Sequence, residues 1–142
     1  MGQAELHLHL EGSIEPSTFP LLNPAITSEE AAQRYQFQDF AGFIACFRWV
    51  SQQLLGPEQY ALVTRSLCER LAQAGVSYAE VTLAAGVVIW KEQDLAAVYQ
   101  AVREESQRSS VEILWNLDSI RQFGPELAMQ VVEFALEQAI MG

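Results

Sequence analysis

Two histidines and a glutamate occur at every second position near the start of the chain. The stretch 5–12 reads ELHLHLEG, in which leucines alternate with His7, His9 and Glu11. Alternation is the period of a β-strand, so the three polar side chains are expected to share one face. Imidazoles two positions apart on a strand can bind one ion, and imidazole is a good ligand for zinc and related metals. His7 and His9 are the only histidines in the 142 residues, which favours a metal site over a half-exposed strand whose histidines meet water.

This stretch resembles the opening of a known enzyme family. Residues 5–14, ELHLHLEGSI, are similar to the first strand of the adenosine/adenine deaminases, and the likeness continues through EPST at 15–18. GVSYAEV at 75–81 resembles the family's second strand. The resemblance covers nearly all of this chain but only the N-terminal part of the family's domain. It implies an α/β fold in which residues 1–142 form a single partial metal-dependent hydrolase domain, the first roughly three parallel strands of a (β/α)8 TIM-type barrel with helices outside.

The resemblance implies a zinc-dependent purine deaminase that hydrolytically releases ammonia from adenosine or a related 6-aminopurine. His7 and His9 would bind one Zn2+, and a water activated by the metal would attack the carbon that bears the amine. His9 and Glu11 are also expected to contact the substrate, Glu11 in preference to being a strand-end carboxylate that faces water. Many relatives have aspartate at the position of Glu11. Glutamate there is common among relatives that act on adenine or aminofutalosine, so both remain alternative substrates.

The family's other catalytic residues are expected beyond residue 142. In the family, a third histidine, the glutamate beside it that shuttles the proton, and later aspartates come from the fifth and eighth strands. We therefore expect no general acid or base in this chain, weak zinc binding, and negligible deaminase activity from the chain alone. A partial barrel also leaves sheet edges unpaired and apolar helix faces uncovered. This predicts self-association or a complementing C-terminal part.

A helix capped by Asp39 has a strong apolar stripe. Its members recur at helical spacing: Phe40, Phe43, Ile44, Phe47, Val50, Leu54 and Leu55. The stripe is equally compatible with core packing and with a wall over a ligand. In the resembled family a Phe-rich helix lies over the purine, and Phe43 and Phe47 match those positions. Arg121 follows the third predicted strand and matches a family arginine that would contact substrate, with a solvated charge as the equal alternative.

The rest of the chain predicts alternating strands and helices, the pattern of a parallel sheet. Further strands are predicted at 76–83 and 111–117, and a helix at 94–110. On that helix Arg103, Glu104, Glu105 and Arg108 are expected to point mostly outward. The segment 84–91 is predicted as a loop anchored by Trp90. The last helix is expected to point its apolar side chains inward, namely Leu127, Val131, Val132, Ala135 and Leu136. Because such crossovers are right-handed, the three strands should lie side by side in chain order.

Composition excludes several classes of protein. Half of the residues are hydrophobic and 18% are charged, which indicates a globular chain and not a disordered one. The net charge of −10 disfavours nucleic acid and anionic membranes as partners. The partner that the resemblance implies is a small-molecule purine. No apolar run is long enough to span a bilayer, and the first residues lack a signal peptide's pattern. The lone Cys46 and Cys68 predict reduced thiols in a cytoplasmic protein.

Two other functions remain compatible with a first strand of this type. A phosphoesterase would need phosphate-binding Arg or Lys and more acidic ligands, which the chain barely offers, and the Phe-rich helix fits a purine better. The second alternative function is that of a non-catalytic α/β fragment or assembly module. The metal content of the purified chain would separate that module from a hydrolase.

Overall fold

The computed structural model describes residues 2–141, in which strands and helices alternate. Strands β1 (Gln3–His9), β2 (Val76–Leu83) and β3 (Glu112–Leu117) form one parallel sheet in the order β1-β2-β3, as predicted. The helices are α1 (Phe19–Leu22), α2 (Ser28–Arg34), α3 (Phe40–Gln52), α4 (Pro57–Gln73), α5 (Ala85–Trp90), α6 (Leu95–Gln107) and α7 (Pro125–Met141). Short 3-10 turns lie at Glu11–Ser13, Pro16–Thr18 and Arg121–Phe123.

The helix boundaries follow from local chemistry. The side chains of Thr27, Asp39 and Asp94 each accept the backbone N–H three residues later, at 3.1, 2.7 and 3.1 Å, and so cap α2, α3 and α6. Pro57 opens α4 at a position where a missing N–H costs nothing. Gly75 follows α4 with φ +78°, a conformation that glycine adopts without steric penalty. The predicted helix at 94–110 is shorter and ends at Gln107.

The core lies between the sheet and the helices α4 and α6. The central strand β2 buries Val76, Ala79, Val81 and Leu83, because it has a neighbour on each side. Further fully buried side chains come from the helices and from the turn after β1: Leu10, Phe19, Leu54, Tyr60, Val88, Val98 and Val102. Within residues 2–141, no helix combines the length and the apolar character needed to cross a lipid bilayer.

The prediction of a loop around Trp90 was wrong. Its segment forms the helix α5, because the run AGVVIW buries Val88 against the core. Trp90 itself is exposed and stacks on Phe123, with ring centroids 5.2 Å apart and planes 2° apart. The tryptophan therefore ties α5 to the turn that follows β3.

Two predicted burial patterns were also wrong. On α7, Val131 is buried, but Val132 and Leu136, expected to point inward, are 46% and 59% exposed. On α6, Glu105 was expected mostly outside, yet it is buried beneath Arg65 and Arg108. In both cases the predicted helix is present, but contacts with neighbouring elements determine which of its side chains are buried.

Candidate functional site

The carboxyl ends of the three strands meet along one edge of the sheet. The pairing aligns His9 with Thr82, and Thr82 with Asn116. Residues aligned in a parallel sheet point to the same face, so these three side chains form one polar row. The chemistry of a β/α barrel gathers at this edge.

The two predicted metal ligands converge there. His7 and His9 are both exposed, and their Nε2 atoms lie 3.3 Å apart, with ring centroids separated by 5.3 Å. Two nitrogens bound to zinc at 2.0–2.1 Å in a tetrahedral arrangement would be about 3.3–3.4 Å apart. The pair therefore fits one metal ion, whereas a direct hydrogen bond would require one ring to donate and the other to accept.

The pair is incomplete as a metal centre. No group of three or more His, Cys, Asp or Glu side chains is placed to hold a metal ion within the described residues. A hydrolytic zinc site uses three protein ligands and keeps one position for water. The residues present thus supply two of the ligands that such a site requires.

The strand pairing is irregular beside His7. Glu5 pairs with Ala79 and Leu8 with Val81, so β1 uses three residues where β2 uses two. An extra residue of this kind breaks the regular pairing and can re-aim a side chain, as bulges near active sites do. The two imidazoles therefore converge on a β1 segment that departs from a regular ladder.

Glu11 does not continue the strand face, contrary to the prediction. β1 ends at His9, and Glu11 begins a 3-10 turn in which it is 1% exposed. Its Oε1 accepts the N–H of Ala84 at 3.0 Å, while Oε2 has no hydrogen-bond partner in the described part of the chain. Burial raises the pKa of Glu11 to about 7, against the lowering effect of its backbone hydrogen bonds and of Lys91. The carboxylate is thus buried and does not face open water.

Glu11 lies in a small aromatic pocket. The cavity has a volume of about 230 Å3 and is lined by Glu11, Gly12, Tyr35, Phe37, Phe43, Cys46, Phe47 and Val50. Phe43 is in ring contact with Phe37 and Phe47 at centroid distances of 5.4 and 6.3 Å. Aromatic faces beside one carboxylate suit a small planar ligand that carries N–H donors.

The apolar stripe of α3 divides into two parts. Val50 and Leu54 are buried in the core, whereas Phe40 and Phe43 are 75% and 40% exposed. Core packing therefore explains Val50 and Leu54, but not Phe40, Phe43 or the 72% exposed Leu55. The aromatic part of the stripe lines the pocket or lies beside it.

A half-buried lysine holds the end of α3 near the pocket. Lys91 Nζ donates to the carbonyls of Ser51 and Leu54 at 2.7 and 2.8 Å, and Gln93 also donates to Leu54 at 2.9 Å. Carbonyls at a helix C-terminus favour a cation. Burial lowers the pKa of Lys91 to about 8, while the charge of Glu11 opposes the shift. Lys91 was not singled out in the sequence, because its partners come from α3 and the segment after it.

Arg121 stands apart from the other predicted site residues. It begins the 3-10 turn after β3, is exposed, and is not among the residues that line the aromatic pocket. The other predicted site residues form two groups at this edge of the sheet. One group is His7 with His9, and the other is Glu11 with Phe43 and Phe47. Two larger surface grooves, of about 430 and 560 Å3, contain neither histidine nor Glu11.

Sequence reasoning missed Asp118, which follows β3 directly. Its side chain is half-buried, and Oδ1 has no hydrogen-bond partner among residues 2–141. Burial raises the pKa of Asp118, and the neighbouring His9 imidazole opposes that rise. The feature that could have indicated Asp118 is its place directly after β3, two residues beyond Asn116 of the polar row.

The fold and the site define a class: a partial TIM-barrel-like α/β fold with a histidine pair at its strand ends. The crystal structure of adenine deaminase from Arthrobacter aurescens aligns with a TM-score of 0.81 and 24% identity, over 96% of this chain and 45% of that protein. A zinc-bound amidohydrolase from Burkhoderia ambifaria aligns with a TM-score of 0.67 and 18% identity, over 94% of this chain and 40% of that protein. Both confirm the predicted fold.

The sequence profile of the adenosine deaminase family matches residues 2–137, and the chain belongs to this family. The adenine deaminase of Rhizobium rhizogenes is 29% identical over 141 residues, which cover 94% of this chain and 44% of that protein. The chain thus spans less than half the length of the curated relative, and the match confirms the predicted family over the N-terminal part of its domain.

Proposed function

We propose that residues 1–142 are a single partial metal-dependent hydrolase domain, the N-terminal portion of a zinc-dependent purine deaminase. The observation that carries this proposal is the 3.3 Å separation of the His7 and His9 Nε2 atoms, which fits two ligands of one zinc ion. Family membership supports the reaction class, since the curated relative is an adenine deaminase. The zinc found in the Burkhoderia ambifaria amidohydrolase supports the choice of metal.

His7 and His9 would hold the zinc, whose contribution when bound is to activate the water that hydrolysis consumes. The buried Oε2 of Glu11 would accept a hydrogen bond from an N–H of the purine, because it has no donor within the described residues. Phe43 and Phe47 would cover the ring and exclude water. His9 and Arg121 complete the proposed substrate contacts. Arg121 would have to reach the substrate from outside the pocket.

The substrate class is a 6-aminopurine, and the chain favours adenine over adenosine. A cavity of about 230 Å3 lies below the roughly 300–1,000 Å3 usual for drug-sized ligands, which suits a base better than a nucleoside. Glutamate at position 11 and the adenine deaminase relative support the same choice. Aminofutalosine remains the alternative that the glutamate allows.

This chain is proposed to be inactive alone and to act with a complementing C-terminal part. The pair of histidines supplies neither a third ligand nor a proton shuttle, and the general acid and base belong to residues outside this chain. Apolar side chains along β3 and α7 are exposed and available for such a partner: Leu114, Met129, Val132, Leu136 and Ile140. A cytoplasmic location, which the free Cys46 and Cys68 favour, is part of the proposal.

Zinc uptake tests the proposal directly. The purified chain is dialysed against Zn2+ and the bound metal is counted for the native protein, His7→Ala, His9→Ala and the control Glu5→Ala. Glu5 is exposed on the same strand and contributes no proposed ligand. Because two ligands bind zinc weakly, we expect zinc on the native and Glu5→Ala chains only at equilibrium with excess Zn2+, approaching one per chain, and background levels for both histidine variants. Zinc uptake that survives loss of either histidine would contradict the site.

Adenine turnover tests the second part. The native chain and the His7→Ala/His9→Ala double variant, prepared alike, are assayed for ammonia release from adenine. Neither should turn over, because the proton shuttle is missing. Turnover by the native chain that depends on zinc and disappears in the double variant would show that the chain is active alone.

The non-catalytic assembly module remains the second candidate. The exposed apolar face of α7 favours it, because such a face is suited to association. A native chain that binds no zinc under zinc-replete conditions would support this module and contradict the hydrolase.

A further inference from the structure

The wall that α3 contributes to the aromatic pocket includes a thiol. Cys46 lies three residues after Phe43, next to Phe47 and four residues before Val50. Residues three and four apart share a face of a helix, and all four of these residues line the cavity. The predicted apolar stripe contained the other three and left out Cys46, which was predicted only to be a reduced thiol.

The cavity that Cys46 lines also holds a buried acceptor without a donor. Glu11 is 1% exposed and lines the same cavity, and its Oε2 has no hydrogen-bond partner among residues 2–141. A buried oxygen of this kind costs free energy, which an N–H donor on a bound molecule would recover. Glu11 thus indicates a ligand site in this cavity independently of Cys46.

The environment of Cys46 favours contact over reactivity. The residue is half-buried, and burial raises the pKa of its thiol, while the charge of Arg34 opposes that rise. A protonated thiol is a poor nucleophile but a small, polarizable group, and sulfur makes favourable contacts with aromatic rings. Beside the much larger Phe43 and Phe47, such a side chain leaves space for a planar ligand and keeps the wall apolar.

We propose that Cys46 is a substrate-contact residue: its sulfur packs against the purine ring whose N–H binds Glu11, and its small side chain leaves room for that ring beside Phe47. This inference rests on the proposed function, in which the aromatic pocket takes a 6-aminopurine. It does not depend on the metal, because neither His7 nor His9 lines this cavity. Adenine alone is therefore a sufficient probe.

Added bulk at position 46 tests the contact. Equilibrium dialysis measures the affinity for adenine of the native chain, Cys46→Leu and the control Ala45→Leu, and circular dichroism checks that both variants fold. Ala45 is exposed on the same helix and does not line the cavity, so the control adds a leucine away from the pocket. We expect Cys46→Leu to weaken adenine binding by at least about fivefold, because the larger side chain occupies space that the ring needs. Ala45→Leu should bind adenine within about twofold of native.

Alkylation of the native chain keeps the inference testable if Cys46→Leu folds poorly. Iodoacetamide modifies cysteine thiols, and mass spectrometry of the digested chain gives the rate at each one. Cys68 lines a different groove, which contains neither Glu11 nor Cys46, and serves as the internal control. At an adenine concentration ten times its dissociation constant, about one pocket in ten is free, so the rate at Cys46 should fall about tenfold. The rate at Cys68 should not change.

The outcomes separate this inference from the function on which it rests. Adenine that binds without slowing alkylation of Cys46 more than that of Cys68 would overturn the contact and leave the purine pocket intact. Native-like affinity in Cys46→Leu, or an equal loss in Ala45→Leu, would overturn the contact as well. A native chain that binds no adenine would overturn the proposed purine pocket and this inference with it, whereas zinc uptake by His7 and His9 would remain measurable.

Discussion

The helices α4 and α7 have the same length and begin alike, but they are buried very differently. Each has 17 residues and begins with proline. α4 buries Tyr60, Val63, Thr64, Leu67, Cys68 and Leu71. α7, although richer in apolar residues, buries Val131 alone among the described residues. Apolar content thus did not decide burial. α4 packs on α6 and on the central strand, whereas α7 packs on the short helix α5 and on the 3-10 turn after β3.

The comparison has a functional meaning. α4 buries one face in the core and packs on the central strand β2. The exposed face of α7 has the character of an interface, because Val132, Leu136 and Ile140 are 46%, 59% and 86% exposed. The site needs further ligands, and the same chain presents apolar surface on which a part carrying them could dock.

Truncating one leucine on each helix gives the largest expected contrast. Leu67 of α4 is 2% exposed and Leu136 of α7 is 59% exposed. Leu67→Ala should lower the free energy of unfolding by about 2–5 kcal/mol, because it leaves a cavity in the core. Leu136→Ala should change it by less than about 0.5 kcal/mol. Urea unfolding of both variants measures the difference. Similar losses would indicate that α7 is covered in solution by another copy of the chain.

The ion pairs that join α4 to α6 should give the next largest effect. The buried carboxylate of Glu105 binds Arg65 at 2.9 and 3.0 Å, and Arg108 at 2.7 Å. Glu105→Gln should cost about 1–2 kcal/mol, toward the lower end because both arginines are more than half exposed. Urea unfolding at neutral pH provides the value.

The same carboxylate predicts a pH dependence. The Arg65 hydrogen bonds lower the pKa of Glu105 in the folded chain below its ordinary value of 4.5. Its stabilising effect is therefore complete above that value and is lost as the pH falls through the lowered folded value. The native chain should lose more stability than Glu105→Gln on acidification below about pH 4.5. Parallel unfolding curves for the two proteins across this range would contradict the assignment.

Two glycines should give an effect of similar size to that of Glu105→Gln. Gly75 follows α4 and Gly124 precedes α7, with φ +78° and +87°, and a Cβ at either would meet no atom within 4 Å. Gly75→Ala should cost about 1–2 kcal/mol, and Gly124→Ala at least as much, because the ψ of Gly124 is 169° and that backbone region is essentially restricted to glycine. Thermal unfolding of the pair tests this. A clearly larger cost at Gly75 would show that strain depends on the surrounding packing.

The sequence predicted more of the fold than of the site. The strand order, the Asp39 cap of α3 and the family were all confirmed, because each depends on a local period or a short motif. The placement of Glu11 was wrong, because the strand ends two residues before it. Asp118 was missed, because the burial of its carboxylate oxygen depends on packing that its own segment does not show.

The sequence by itself determined the alternating strands and helices, the pairing of two imidazoles on one strand, and the family, because these features depend on residues close together in the chain. Only the tertiary structure decided that Glu11 is buried in an aromatic pocket and that Lys91 holds the end of α3. Both depend on segments that are distant in the chain, such as Glu11 and Ala84, which are 73 residues apart, and Lys91 and Ser51, which are 40 residues apart.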